Sequence, residues 1–380
     1  MPMPQSISLP DAWRNSDAPV RRFFAPGRVN LIGEHLDYNG SRVMPAAINR
    51  GINAWVRTLA ERVWRLHSDG HPEAVAIPLD PIPQPHALSG WANHAAGVLA
   101  LLQESGLTIQ GLEIWLKSDL PEGAGLSSSA AFEMLLAWIG FRYAGITPDR
   151  TALALLSQQV EARFLGVQCG IMDPYAVGHG KPGMAMLLDC ARLVHTDIPA
   201  QIIDYQWVIL NANKARTLAG SAYNQRRKAC EAAAAHLGLT KLADLQDPER
   251  IRTLPDPDWQ AAARHVYSET RRVTEAASAL QKQDVLTLGS ILNDSHASLR
   301  DDYAVSCIEM DVLVTAAQQH PACAGARMTG AGFGGCAVAL VKKEGLPGFS
   351  KAVETTYQRA TGLKTDIFSV EWVAGVGEIE

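Results

Sequence analysis

The sequence predicts an α+β fold built from two domains. Length is the first reason, since 380 residues exceed what one hydrophobic core ordinarily organises. The second is that strand-like and helix-like stretches recur in both halves rather than segregating. The third is an apolar fraction of 47%, that of an ordinary globular chain, with no internal repeat or low-complexity run. The boundary is expected around 180–206, and we divide the chain into an N-terminal domain, 1–190, and a C-terminal domain, 191–380.

Taken in order, strands are expected at Trp55–Thr58 and Arg62–Ser68. In Leu112–Lys117 the aliphatic Leu112, Ile114 and Leu116 alternate with Glu113, Trp115 and Lys117, the period-two pattern of a half-buried strand. Phe132–Ile139 has few polar positions and reads as a buried helix. A helix follows over Asp149–Phe164, ending near Gly166, and Trp207–Leu210 reads as a short buried strand. Helices are then expected at Tyr223–His236, Trp259–Lys282 and Val285–Leu299, a strand at Gly335–Val341 and a helix at Phe349–Ala360.

A net charge of −5 leaves no broad positive surface for nucleic acid, and Arg226-Arg227-Lys228 reads as the solvated face of a helix. The six cysteines show neither zinc nor Cys-x-x-Cys spacing and read as reduced thiols. Residues 1–17 are polar and contain prolines, without the apolar centre of a signal peptide. No stretch reaches the roughly 18 apolar residues of a membrane span.

Four clusters carry chemistry. In Pro121-Glu-Gly-Ala-Gly-Leu-Ser-Ser-Ser-Ala-Ala131 a small-residue loop runs into three serines and then the buried helix. Glycines let backbone approach an anion closely, and a helix start aims unpaired N–H groups at it, so the segment reads as a phosphate cradle. It is not the common P-loop, because the Gly180-Lys181 pair is followed by Pro182. The segment from Pro26 to Tyr38 packs Arg28, Glu34, His35 and Asp37 between two glycines, a set suited to a polyhydroxylated ligand. By composition alone a surface turn with ordinary ion pairs is the favoured reading. Asp173-Pro174, with Glu161 upstream, reads either as a helix cap with proline at the first helical position or as a carboxylate held near a substrate hydroxyl. Met328–Gly335 is a glycine-rich loop before a strand. Its spacing is not that of a dinucleotide fingerprint, and structural turn and ligand loop both remain open.

Together, and in this order, the four clusters resemble the GHMP small-molecule kinases and, within them, the galactokinase family. Gly27–Tyr38 matches the galactokinase signature except at residue 36, Pro121–Ala131 the ATP-binding motif, and Met328–Gly335 the third motif. Smaller matches are Trp91-Ala-Asn93, Gly220-Ser-x-Tyr-Asn224 with Arg226-Arg227, and Ser295-His-Ala-Ser298 before Arg300-Asp-Asp302. The resemblance implies a two-lobed GHMP kinase fold with the active site in the cleft between domains, and ATP-dependent phosphorylation of a galactose-like sugar at its anomeric hydroxyl. It implies that Gly123, Ala124, Gly125, Leu126, Ser127, Ser128 and Ser129 hold the ATP phosphates. Ser68 and Trp91 fall on the nucleoside side, and Ser129 and Glu161 bind Mg²⁺. Glu34, His35, Leu36, Asp37, Gly170, Asp173 and Tyr223 are placed around the sugar, with Arg28 and Asp173 as the catalytic pair. It implies a small-molecule sugar and ATP as partners, no nucleic acid, membrane or obligate protein partner, and a cytoplasmic location.

Three positions depart from the family pattern. Leu36 stands where many members have threonine. Ala331 replaces a glycine, which is harmless if its φ is negative. Pro174 follows the aspartate where glutamine is usual, and proline disfavours α geometry in the residue before it. Other sugar kinases of the superfamily, acting on N-acetylgalactosamine, arabinose or galacturonate, remain as alternatives. A sugar and ATP sensor without turnover would be expected to lose part of the serine motif or the Arg28–Asp173 pair, and both are intact.

Overall fold

The computed structural model describes Trp13 and residues 19–69, 71–214 and 219–379. The polar stretch 1–17, apart from Trp13, and the side chain of Ser221 lie outside the described residues. The chain opens with strands β1 (Arg21–Asn30), β2 (Arg42–Val43), β3 (Pro45–Thr58), β4 (Val63–Ser68) and β5 (His71–Pro78). Helix α1 (Trp91–Glu104), strand β6 (Leu112–Ser118) and helices α2 (Ser128–Tyr143), α3 (Arg150–Phe164) and α4 (Met172–His179) follow. Strands β7 (Met184–Asp189), β8 (Val194–Pro199) and β9 (Tyr205–Asn211) lead to helices α5 (Ala219–His236), α6 (Pro257–Gln281), α7 (Val285–Asp301) and α8 (Ile308–Gln318). The remainder is β10 (Cys323–Thr329), β11 (Cys336–Lys342), α9 (Leu346–Thr361), β12 (Asp366–Ser369) and β13 (Gly377–Ile379).

Three sheets organise these elements. The first runs β13-β1-β3-β6-β4-β5, antiparallel except for the β4–β6 pair. The second runs β10-β11-β9-β12 and the third β2-β7-β8. Because β8 pairs with β7, a cut at residue 190 falls inside a hairpin, and because β13 pairs with β1, the last strand of the second half completes the first sheet. One continuous apolar core runs from Phe23 on β1 to Phe349 on α9.

Local chemistry explains most of these elements. Helix α2 is apolar on nearly every face and is buried accordingly. Asp149, read as the first residue of a helix, is instead its N-cap and accepts from the Ala152 amide at 2.8 Å. Helix α6 starts the same way, with Asp256 capping and Pro257 first. On β6 the expected alternation holds except at Glu113, which is buried because Arg57 and His67 both hydrogen-bond it.

The cap reading of Asp173-Pro174 is corrected. Helix α4 begins at Met172 with Ile171 at the N-cap, so Asp173 lies inside the first turn and Pro174 is the third helical residue. Proline costs little there, because the first four amides of a helix have no intrahelical acceptor to lose.

Candidate active site

The first sheet delivers Arg28 to the centre of the molecule. The β1–β3 register slips between Pro26 and Arg28, and the Arg28 amide then bonds the Leu126 carbonyl of the serine loop at 3.1 Å. A side chain at Gly27 would strike Leu120 and the Leu126 carbonyl, so glycine lets the two motifs lie against each other. The Arg28 guanidinium forks onto Asp173, with Nε to Oδ1 and Nη2 to Oδ2 both at 2.8 Å, and its Nη1 donates to the Gly125 carbonyl at 2.7 Å. The arginine is almost fully buried, whereas the aspartate is open to a cavity.

That cavity, of about 270 Å³, is lined by Arg28, Glu34, His35, Asp37, Ser129 and Glu161 on one part of its wall. Cys169, Gly170, Asp173, Tyr223, Gly330 and Ala331 line the rest. Asp37 packs directly over Gly170, where any side chain would overlap its carboxylate. Burial, with the nearby Asp173 charge, pushes the Asp37 carboxyl up to about 6. His35 is held neutral, its pKa lowered to about 3 by burial and by His265. Its Nε2 faces the Ala331 carbonyl at 3.2 Å, so that nitrogen carries the proton and Nδ1 accepts from the Tyr38 hydroxyl at 2.9 Å. Tyr303 then donates to Tyr38 at 2.7 Å, which gives a directional chain behind the cavity wall. Both imidazole nitrogens are therefore engaged, and His35 meets a ligand with its ring rather than with a free nitrogen.

Leu36 does not reach the cavity. Its side chain is fully buried in the core, its amide bonds Gly33 and its carbonyl accepts from Asn39 and Ser41. An aliphatic residue suits that position because the turn directs it inward. Ala331 has no positive φ, whereas Gly330 and Gly332 beside it do, so the alanine fits where it stands.

The serine loop ends in a helix start left open for an anion. Gly123, Gly125 and Ser127 all have positive φ, which coils the loop over the N-terminus of α2. Ser127 is the N-cap, yet its hydroxyl makes no capping bond and donates instead to Asp173 Oδ2 at 2.6 Å. The first-turn amides of α2 are thus without a side-chain cap. Ser128 is exposed and Ser129 partly so, while Ala124 and Leu126 turn their side chains into the core and offer only backbone.

A second cavity, of about 490 Å³, lies on the other side of Ser129. Ser68, His71, Trp91, Leu116 and Phe132 line it, with Ser128 and Ser129 on the side of the loop. Trp91 opens helix α1 and packs edge-on against Phe132 at 5.9 Å. Among the described residues Ser129 alone borders both cavities, so the predicted nucleoside-side and sugar-side residues are separate groups joined at the serine loop.

Glu161 belongs to a cluster that sequence reasoning found only in part. Ligand atoms of His94, Glu133 and Glu161 lie within 4.8 Å of one another. Glu133 is fully buried, bonded by Ser157 Oγ at 2.5 Å and by His94 Nδ1 at 2.8 Å. Burial pushes Glu133 up to about 8, and burial with the Glu133 charge pushes Glu161 up to about 7. No lysine or arginine among the described residues forms an ion pair with either. The available signal was the single acid in an otherwise apolar helix. Arg327 and Glu269 were also missed; both are fully buried, and both form part of the setting of Glu34.

Comparison with known proteins follows this geometry. Residues 14–58 match the galactokinase galactose-binding signature, 93–181 the GHMP kinase N-terminal domain and 276–352 the GHMP kinase C-terminal domain. The chain is 40% identical over 373 residues to the galactokinase of Exiguobacterium sibiricum, covering 95% of this chain and 94% of that one. It is 38% identical to the galactokinase of Bacillus subtilis, covering 94% and 93%. Its fold matches Lactococcus lactis galactokinase, whose structure was determined with galactose, at a TM-score of 0.90 and 35% identity, covering 95% of each chain. The mevalonate kinase of Methanococcus jannaschii shares the fold alone, with a TM-score of 0.69 at 16% identity. Helix start, cleft, paired Arg28 and Asp173, and likeness over nearly the whole length agree: the chain belongs to the galactokinase family of GHMP kinases.

Proposed function

We propose that this kinase transfers the γ-phosphoryl group of ATP to the anomeric C1 hydroxyl of D-galactose, releasing ADP. The observation that carries the reading is the place of Asp173. Its carboxylate is fixed by Arg28 and Ser127 at the wall between the sugar-side cavity and the open start of α2. A sugar seated among Glu34, Asp37, Gly170 and Tyr223 presents its hydroxyl to Asp173, which orients it and accepts its proton as the new P–O bond forms. Arg28 offsets charge on the transferring group and the nearby oxyanions. The triphosphate lies along Gly123–Ser129, and Ser68 and Trp91 flank the nucleoside.

The residues fit Mg²⁺. Ser129 and Glu161 offer oxygen donors at the junction of the two cavities, and the buried carboxylates lack a lysine or arginine partner among the described residues. Bound there with phosphate oxygens, the ion would supply charge neutralisation. We further propose two lobes divided within the expected 180–206 interval but not at 190, which would split the β7–β8 hairpin, with β13 returning to the first. We also propose a cytoplasmic enzyme, which six free thiols suit. Among the described residues no helix is long and apolar enough to cross a membrane.

A coupled ADP-release assay over galactose, N-acetylgalactosamine, galacturonate and arabinose tests the reading. Galactose is expected to be the preferred acceptor, and a clear preference for another sugar would overturn it. Pro174→Gln is expected to leave galactose turnover within about tenfold, or ~1.4 kcal/mol, because the proline breaks no helix bond. A much larger rise would show that the proline distorts Asp173.

Asp37 supplies a prediction in pH. Its folded pKa of about 6 lies above the ordinary carboxyl value. The native state therefore binds more protons than the unfolded one in that interval, and this group's contribution to stability falls as pH rises through about 6. Asp37→Asn is thus expected to melt higher than the native sequence at pH 7.5. The difference should close as pH drops toward the ordinary carboxyl range, and galactose affinity should be lost. Thermal melts from pH 4 to 8 check this, and a lower melting point at pH 7.5 would contradict it.

A further inference from the structure

Glu34 is a buried acid among the residues that line the sugar-side cavity, and its setting comes from distant parts of the chain. Its Oε1 accepts from the Gly330 amide at 3.0 Å and from the Thr329 hydroxyl at 3.1 Å, while Oε2 pairs with the Arg327 guanidinium. Arg327, on β10, is itself wholly buried. Its Nε donates to Ser295 at 3.1 Å, and its Nη1 to the carbonyls of Asn30 at 3.3 Å and Leu31 at 3.1 Å. Glu269, on α6, lies 3.8 Å from the same guanidinium and accepts from the Gly33 amide, Ser295 and Arg272. Arg327 thus ties the second sheet to the end of β1, and Glu269 ties α6 to the turn that carries Glu34.

The charges in this cluster are not equivalent. Burial would raise Glu269, but Arg327, His265 and Arg272 together hold it down to about 2. Glu34 is pushed up by burial, and Arg327 is the principal charge opposing that push. The other groups facing Glu34 are Glu269, which works against its charge, and the His265 ring, whose Nε2 meets its backbone carbonyl at 3.2 Å. A buried carboxylate that loses its cation takes up a proton or moves.

We propose that Arg327 is a positioning and specificity residue, which keeps Glu34 ionised and aimed into the cavity so that it can accept a hydrogen bond from one hydroxyl of the sugar. The inference rests on the galactose reading, and it assigns no contact between Arg327 and substrate. A protonated or displaced Glu34 would still line a cavity but would no longer discriminate at that hydroxyl.

The test compares the native sequence, Glu34→Gln, Arg327→Met, Arg327→Lys and the double variant Glu34→Gln/Arg327→Met, assayed with galactose and each monodeoxygalactose. Arg327→Met is expected to raise the galactose KM about 10- to 100-fold, with the ATP KM within about threefold. The penalty the native enzyme shows for one particular deoxy sugar should largely vanish in that variant. In the double variant the two changes should be far from additive. Independently, ¹³C-carboxyl glutamate labelling, with the Glu34 signal assigned by its absence in Glu34→Gln, should show an ionised Glu34 at pH 7.5 in the native protein. The same signal should be protonated in Arg327→Met.

A folded Arg327→Met with an ionised Glu34 and an unchanged galactose KM would overturn the proposal. So would equal losses toward galactose and ATP. If Arg327→Met does not fold, Arg327→Lys decides, because loss of the fork should still raise the galactose KM about tenfold, and an unchanged KM refutes the assignment. If the native enzyme turns over no galactose, the functional reading fails, while the labelling experiment still decides what Arg327 does to Glu34.

Discussion

Asp173→Asn is expected to lower galactose turnover by about three orders of magnitude, with little change in the KM for ATP. The amide keeps the size of the carboxylate but cannot take the sugar proton. It also places an NH₂ where Arg28 and Ser127 both donate, since the carboxylate accepts from three donors at 2.6–2.8 Å. The local network must rearrange, but Asp173 is open to the cavity, so the fold should survive with a melting point near that of the native sequence. Coupled ADP release over a range of galactose concentrations measures the effect. Near-normal turnover would show that the role given to Asp173 is wrong.

Arg28→Met is expected to be nearly as damaging, lowering kcat/KM for galactose by about 10²- to 10³-fold, or ~3–4 kcal/mol. Among the described residues Arg28 and Arg327 are the buried arginines, and three nitrogens of Arg28 are committed: two to Asp173 and one to Gly125 of the phosphate loop. Methionine fills the space of the stem but releases both the aspartate and the loop. The loss should therefore appear in kcat and also in the KM for ATP, which separates this variant from Asp173→Asn. Arg28→Lys should recover little, because a single ammonium cannot reach two carboxylate oxygens and a carbonyl in that fork geometry. Activity of Arg28→Met above about a tenth of normal would contradict the assignment.

The parts of the site that could be read from the sequence are those where chemistry is written in contiguous residues. Gly27–Tyr38, Pro121–Ala131 and Met328–Gly335 each hold a backbone shape, and the structure brings the three together around Arg28 and Ser129. What could not be read depends on pairing across the chain. Arg327 and Glu34 are separated by nearly the whole sequence, and neither has a local pattern that announces the other. That the Ser127 hydroxyl donates to Asp173 could not be read from the serine run, because it follows from the left-handed backbone at that residue and from the place of Asp173 in the fold. Leu36 was carried into the sugar set by its neighbours, although the tight turn points it into the core. The helix over Met172–His179 was signalled by Asp173-Pro174, but its start was placed two residues too late, because proline's usual place at the first helical position hides a helix that begins ahead of it.

Strand β13 runs alongside β1, with Phe23 opposite Glu378 and an ion pair from Arg21 to Glu378 at 2.7 Å. During synthesis the first sheet therefore keeps an open edge from the emergence of β1, which ends at Asn30, until β13, which begins at Gly377, has followed it out of the ribosome. The nascent first lobe spends that interval with β1 unpaired on one side, and an exposed edge of this kind invites association with other chains. Closing it joins two strands that are very far apart in sequence, a late and slow event for any folding chain. The strand that carries Arg28 is in this way completed only by a segment made far downstream of it.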